Sequence, residues 1–353
     1  MKNIEKYLSL LGEHEGLLLT SSYNRYYAAG HPIAEGVAVV TRQGSRYFTD
    51  SRYIESAQNG IADMEVVMVD REHPYNKRIN DTIAEYGLTT LGYEEGYLTV
   101  AEYRDYEKNL NAELKPMLAQ INAFRAVKEP WELELMEKAQ QITDMAFTEV
   151  CPRIREGMTE KELQAELIYC LYKNGAEGLS FDPIVVSGPN TSMPHGVAGD
   201  RRLQKGDFIT MDFGVLYRGY CSDMTRTVAL GFVTDEMRQV YDTVLKAQLA
   251  GIAVTRAGVK GKEIDGAARQ VITDAGYGAY FGHGYGHSLG LEIHEAPNCN
   301  PAGETVMQAG VVSSAEPGIY LPGKFGVRIE DVVIFEEGGC RVITRSPKQL
   351  IIL

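Results

Sequence analysis

Two pairs of acidic residues set the chemistry this sequence points to. Asp207 to Val215 reads as a strand, and Gly219 to Val228 reads as its hairpin partner. A turn centred between Tyr217 and Arg218 places Asp212 directly opposite Asp223. Directly opposed residues of an antiparallel pair bring their Cβ atoms to about 4.5–5.5 Å on one face. Apolar neighbours on both strands predict burial, where two carboxylates repel and need a cation to neutralise them. A second hairpin repeats the pattern: a turn centred on Gly323, flanked by Pro322 and Lys324, makes Glu316 and Glu330 partners. A lone acid is usually a solvated or salt-bridged surface group. Four acids in two facing pairs, on strands that read as core, are hard to explain that way.

Between the hairpins, Gly282 to Glu295 holds His283, His287 and His294. Its glycines, each costing about 1 kcal/mol in a helix interior, predict extended or looped backbone open to close approach. His294-Glu295-Ala296-Pro297-Asn298 is not the H-E-x-x-H of a zincin, and the glycines do not form a phosphate loop between strand and helix. Four carboxylates and an imidazole suit Mn²⁺, Co²⁺, Fe²⁺ or Zn²⁺. Two divalent ions would balance the four negative charges. Ions about 3.5–4 Å apart share a hydroxide and clamp a reacting oxygen, so the residues point to metal-assisted hydrolysis.

The elements that must position these groups fall into two parts. The chain has 353 residues, enough for two domains at roughly 150 each. With 44% apolar and 24% charged residues, the composition is globular and excludes disorder, collagen and coiled coil. A net charge of −13 argues against nucleic-acid or anionic-membrane partners. Five scattered cysteines without a C-x-x-C pair exclude a disulfide scaffold or a cysteine zinc site. The N-terminus lacks the apolar core of a signal peptide, and no run of about 18 apolar residues predicts a membrane span, so a cytoplasmic location is expected.

Residues 1–125 read as a small α/β domain. Leu17–Thr20, Gly36–Thr41 and Met64–Val69 are expected strands, and Tyr53–Gly60 and Tyr75–Tyr86 expected helices. From residue 126 an α+β domain follows. It opens with a helix after Pro130 that carries Leu133, Met136, Ile142, Met145 and Ala146 at helical spacing, then one capped by Thr159 and Glu162. Beyond Phe181 long antiparallel strands are expected, with helices near Glu236–Val254 and Lys262–Ala275.

The sequence resembles the Xaa-Pro peptidases, prolidase and aminopeptidase P, of the pita-bread metallopeptidase family. The resemblance is carried by Met211-Asp212-Phe213-Gly214, Ser222-Asp223-Met224-Thr225-Arg226-Thr227, Gly286-His287 with Gly290 to Glu295, Glu316-Pro317-Gly318, and Val327 to Asp331. Tyr23 to Tyr27 with Gly30, and Thr49 to Tyr53, resemble the two recurrent strand-and-loop signatures of the creatinase/prolidase N-terminal domain, which separates the chain from plain methionine aminopeptidases.

The resemblance implies two divalent ions, Mn²⁺ foremost and Co²⁺, Zn²⁺ or Fe²⁺ next, on Asp212, Asp223, His287, Glu316 and Glu330. It implies a bridging hydroxide that attacks the carbonyl before proline, with Glu316 as proton shuttle. His195, His283, His294 and Arg328 would line the substrate pocket, and a homodimer acting on short Xaa-Pro peptides is the expected assembly. Asn298 stands where many members carry a basic residue, which bears on whether a dipeptide carboxylate is held there. Two other readings stay open from the sequence: a metal-free creatinase-like amidinohydrolase, and a catalytically dead pita-bread binding module. Both expect replaced ligands, and here all five are present.

Overall fold

The computed structural model describes residues 3–353 and divides into two compact units, Met1–Arg125 and Ala126–Leu353. In the first unit, six strands form one mixed sheet: β1 (Glu15–Leu19), β2 (Val37–Thr41), β3 (Arg46–Thr49), β4 (Glu65–Met68), β5 (Thr90–Tyr93) and β6 (Glu113–Pro116). Their order is β4-β3-β2-β1-β5-β6. The β1–β2 and β2–β3 pairs are antiparallel and the other three parallel. Apolar residues at alternate positions, Val37 and Val39 among them, pack with Leu18, Phe48 and Leu91 against Ile79 and Ile83 of the helix Tyr75–Tyr86. The Tyr23 to Gly30 signature, expected as strand and loop, is instead a helix, Ser22–Ala29. Ser21 caps its start, and Gly30, at φ 70°, takes the left-handed conformation that ends it without a Cβ penalty.

The second unit begins with the helix Pro130–Val150, whose first residue is the proline expected there. It buries Met136, Ala139, Ile142, Ala146, Phe147 and Val150, whereas Met145 faces out. Gln140, Thr143 and Asp144 are buried instead, and Asp144 accepts hydrogen bonds from Ser346 N and Oγ at 2.8 and 2.6 Å. The helix Glu160–Lys173 starts on the expected capping box: Thr159 Oγ1 accepts from Glu162 N at 3.1 Å, and Glu162 Oε2 accepts from Thr159 N at 2.8 Å.

The strands that follow are short rather than long. They are β7 (Gly178–Leu179), β8 (Ile184–Ser187), β9 (Phe208–Phe213), β10 (Val215–Tyr217), β11 (Tyr220–Cys221), β12 (Met224–Ala229), β13 (Gly286–Ser288), β14 (Glu295–Cys299), β15 (Val312–Ala315), β16 (Gly318–Leu321), β17 (Phe325–Arg328), β18 (Asp331–Glu336) and β19 (Gly339–Val342). They form sheets ordered β11-β10-β7, β12-β9-β8, β14-β13-β15-β18-β19 and β16-β17. Pairing among them is antiparallel throughout. The helices Asp235–Val254 and Gly261–Asp274 cover them, sharing one core with Phe208, Ile319, Val327 and Phe335. Among the described residues no helix is long and apolar enough to cross a membrane.

The first hairpin differs in register from the expectation. Leu216 pairs with Cys221, Tyr217 with Tyr220 and Asp212 with Thr225. The turn therefore lies on Arg218 and Gly219, both at positive φ (46° and 77°), as a two-residue turn matched to strand twist requires. The correction moves Asp223 two places along its strand, which preserves its face and makes it a diagonal rather than a direct neighbour of Asp212. The second hairpin has the expected register: Gly318 pairs with Arg328 and Leu321 with Phe325, about Gly323 at φ 74°.

Candidate metal centre

All nine residues singled out in the sequence line one cavity of about 710 Å³. Asp212 comes from β9, and Asp223 lies between β11 and β12. His287 sits on β13, and Glu316 and Glu330 follow β15 and β17. The backbone fixes the last two: Glu316 N donates to Tyr285 O at 2.8 Å and Glu330 N to Thr225 O at 3.1 Å. Gly286 lets β13 approach β15 closely, because a Cβ there would lie 2.0 Å from Ser314 O.

His287 Nε2 lies 3.6 Å from Asp223 Oδ2 and 3.4 Å from Glu316 Oε1. Its Nδ1 faces Ser288 O at 3.1 Å, so hydrogen-bond geometry assigns the proton to Nδ1 and leaves the Nε2 lone pair toward the carboxylates. Donor atoms of Asp223, His287 and Glu330 lie within 4.8 Å of one another. Burial raises the pKa of Asp223 well above the carboxylate range, with Asp212 and Glu316 adding to it. Burial and then Asp223 do the same to Glu330, and burial raises Glu316. Asp212 Oδ1, Asp223 Oδ1 and Glu330 Oε1 are buried without a hydrogen-bond partner. Orphaned buried carboxylate oxygens are costly, and a cation removes both that cost and the mutual repulsion. The donor set fits hard or borderline divalent ions.

Several residues at the site were not foreseen. Thr225 Oγ1 donates to Glu330 Oε2 at 2.7 Å and accepts from Arg328 Nε at 2.9 Å. It lies two residues from Asp223 and opposite Asp212, so strand alternation was a signal for it. Tyr320 Oη accepts from Arg328 Nη1 at 3.0 Å and bonds His283 Nε2 at 2.8 Å, while His283 Nδ1 faces Gly284 O at 2.8 Å. Buried Tyr320 is pushed up to about 12. Arg328 Nη2 reaches Asp212 Oδ2 at 2.5 Å, so Arg328 is an electrostatic partner of a ligand candidate rather than a free pocket cation. His294 packs edge-on to His287 with centroids 4.4 Å apart, and His195, itself exposed, lies on the segment after β8.

That segment is held by Glu160, which is fully buried. Glu160 Oε1 accepts from Ser187 N at 2.7 Å, Ser187 Oγ at 2.8 Å and Asn190 Nδ2 at 3.0 Å, and Oε2 accepts from Gly199 N at 2.9 Å. One carboxylate thus ties both ends of residues 187–199. Glu160→Gln puts an amide N–H against donors and is expected to cost about 1–3 kcal/mol. Hydrogen exchange should rise in residues 187–199 and stay unchanged in β18; equal protection in both proteins would sink this account.

A pita-bread α+β domain with a buried acid-and-histidine cluster, in a chain that also carries a separate mixed-sheet domain, defines a class of two-domain metallohydrolase. Residues 134–337 match Metallopeptidase family M24, and residues 4–127 match the Creatinase/Prolidase N-terminal domain. The chain belongs to metallopeptidase family M24. It is 39% identical to an uncharacterized peptidase, YqhT, of Bacillus subtilis, over 99% of each chain. It is 34% identical to the Xaa-Pro dipeptidase of Pyrococcus horikoshii, over 96% of this chain and 94% of the relative. Among solved structures it resembles an Xaa-Pro dipeptidase from Bacillus anthracis, with TM-score 0.96 and 40% identity over 100% of this chain and 99% of that one. It is also similar to an X-Pro aminopeptidase from Thermotoga maritima, with TM-score 0.94 and 35% identity over the whole of both chains.

Proposed function

We propose that this chain hydrolyses the peptide bond between an N-terminal residue and proline, using two divalent ions held by Asp212, Asp223, His287, Glu316 and Glu330. The observation that carries the proposal is the convergence of these five side chains on one cavity, with three buried carboxylate oxygens unpartnered. The family match and the names of the relatives support the Xaa-Pro part. Short Xaa-Pro peptides are the proposed substrates and a homodimer the proposed assembly, the latter carried by the family resemblance.

When bound, such ions supply Lewis-acid polarisation of a carbonyl and make a hydroxide available near neutral pH. The chain's own residues do the rest. Glu316, whose carboxyl is raised by burial, takes a proton at a carboxylate oxygen and returns it to the leaving imino nitrogen. His294, at the mouth beside His287, donates to the carbonyl oxygen as negative charge develops there. His283 is fixed by Tyr320 and Gly284, and with His195 it borders the proline side. Arg328 offsets charge on Asp212. Proline calls for a dedicated site because the bond before it has no N–H for a peptide groove to bind.

Chelation is expected to abolish cleavage of Xaa-Pro substrates, and Mn²⁺ or Co²⁺ to restore it in the wild type but not in Asp212→Ala. No cleavage before proline with two ions bound per chain would overturn the reading.

A further inference from the structure

His283 stands on a stretch of chain that no sheet holds. Residues 281–285 run from the short helical turn Gly278–Tyr280 to β13, outside any strand, and bring His283 to the cavity wall. Backbone groups that have no ladder partner must find one elsewhere when water is excluded. Two side chains of the helix Gly261–Asp274 supply that partner.

Asp265 and Arg269 are one helical turn apart and share a face. Arg269 Nε donates to Asp265 Oδ2 at 2.7 Å and Nη2 to Oδ1 at 2.9 Å, a two-pronged pair that fixes the guanidinium plane. The remaining N–H groups reach the loop: Nη1 donates to Phe281 O at 2.9 Å and Nη2 to His283 O at 2.6 Å. The guanidinium also lies 4.1 Å from the centroid of the Phe281 ring, which meets the His283 ring edge to face at 5.1 Å. On the other side, Asp265 Oδ1 accepts from Tyr285 N at 2.9 Å. Both ends of the segment are thus tied to one ion pair.

The Asp265 side chain is buried, which is costly for a carboxylate without a cation beside it. Apolar residues would pack the helix at least as well as an ion pair. They could not dictate the path of residues 281–285. Neither Asp265 nor Arg269 lines the cavity, so any effect on catalysis has to pass through that segment. Resting on the Xaa-Pro reading above, which sets His283 on the proline side, we propose that Asp265 and Arg269 are positioning residues. They fix the backbone of His283, and with it the wall against which the proline ring binds, without touching substrate.

The test measures kcat and KM for Ala-Pro-Ala in the Mn²⁺-loaded wild type, Arg269→Met, Asp265→Asn, His283→Ala and the double variant of Arg269→Met with His283→Ala. Arg269→Met should raise KM by about tenfold or more and change kcat by less than about threefold, the signature of lost binding rather than lost chemistry. Asp265→Asn keeps an oxygen for Tyr285 N but no longer anchors the guanidinium as an anion. It should act in the same direction, so that one misfolded variant does not decide the matter. In the His283→Ala background, Arg269→Met should add less than about twofold, because both residues act on one wall. Effects that multiply in the double variant, an unchanged KM in the folded variants, or a fall in kcat that tracks lost metal would overturn the proposal. If the wild type with two ions bound cleaves no Xaa-Pro peptide, the Xaa-Pro reading fails, and the ring-nitrogen NMR signals of His283 decide this proposal alone. Assigned by their loss in His283→Ala, they should shift in Zn²⁺-loaded Arg269→Met while those of His73 stay in place. Unshifted His283 signals would remove the positioning role.

Discussion

Replacing Glu316 by Gln is expected to lower kcat on an Xaa-Pro substrate by about 10²–10⁴-fold, the usual contribution of a positioned general acid–base group. Glu316 Oε1 lies 3.4 Å from His287 Nε2 and accepts a hydrogen bond from Ser314 Oγ at 3.0 Å. A glutamine keeps the shape and one oxygen but cannot carry a proton between nucleophile and leaving nitrogen. Because Glu316 is also a ligand candidate, metal content per chain must be measured beside the rate. A loss of rate at full metal content assigns the effect to proton transfer. A loss of rate that tracks metal content assigns it to ligation. A variant retaining more than a tenth of the wild-type kcat would remove Glu316 from the mechanism.

Arg226→Met should lower stability by about 3–5 kcal/mol, the range for breaking a buried ion pair from one side. Arg226 is among the largest fully buried side chains, and its partner Asp331 is equally inaccessible. Its Nη2 meets Asp331 Oδ1 at 2.7 Å and Ser346 O at 2.7 Å, and Nε meets Pro347 O at 3.0 Å. Nη1 donates to Thr225 O at 3.0 Å and to Glu330 O. Burial pushes the Asp331 carboxyl up, but Arg226 and then Lys348 hold it below the usual range. Methionine fills the space yet leaves those carbonyls and part of the Asp331 charge uncompensated. Adding Asp331→Asn should cost less than the sum of the single changes, because the two residues share one interaction. Denaturant unfolding at matched metal loading measures both, and a single-variant loss below about 1 kcal/mol would contradict the account.

Some of this was legible from local pattern. The helix Tyr75–Tyr86 and the second hairpin's register follow from hydrophobic spacing and from the turn residues Pro322 to Lys324. The first hairpin's register was missed because its turn lies on Arg218 and Gly219, one position beyond the assumed centre, and residue type does not announce a non-glycine residue such as Arg218 at positive φ. At Gly214 a Cβ would lie 1.9 Å from Ser222 O, a closeness that spacing arithmetic does not contain. Met145 was expected inside and faces out, because the neighbouring Asp144 is drawn inward to bind backbone N–H groups of Arg345 and Ser346. Those partners lie some two hundred residues away, beyond the reach of any local period.

The sequence by itself named a candidate donor set: residue type and strand alternation picked out Asp212, Asp223, Glu316 and Glu330, and the family resemblance added His287, because ligand chemistry belongs to the side chains. Only the tertiary structure decided how those groups are balanced. Thr225 bonding Glu330, Arg328 committed to Asp212, Glu160 holding the His195 segment and Asn298 facing His287 are all contacts between separate elements. Charge compensation in a buried site depends on distance and solvent exclusion, and neither exists until the strands have come together.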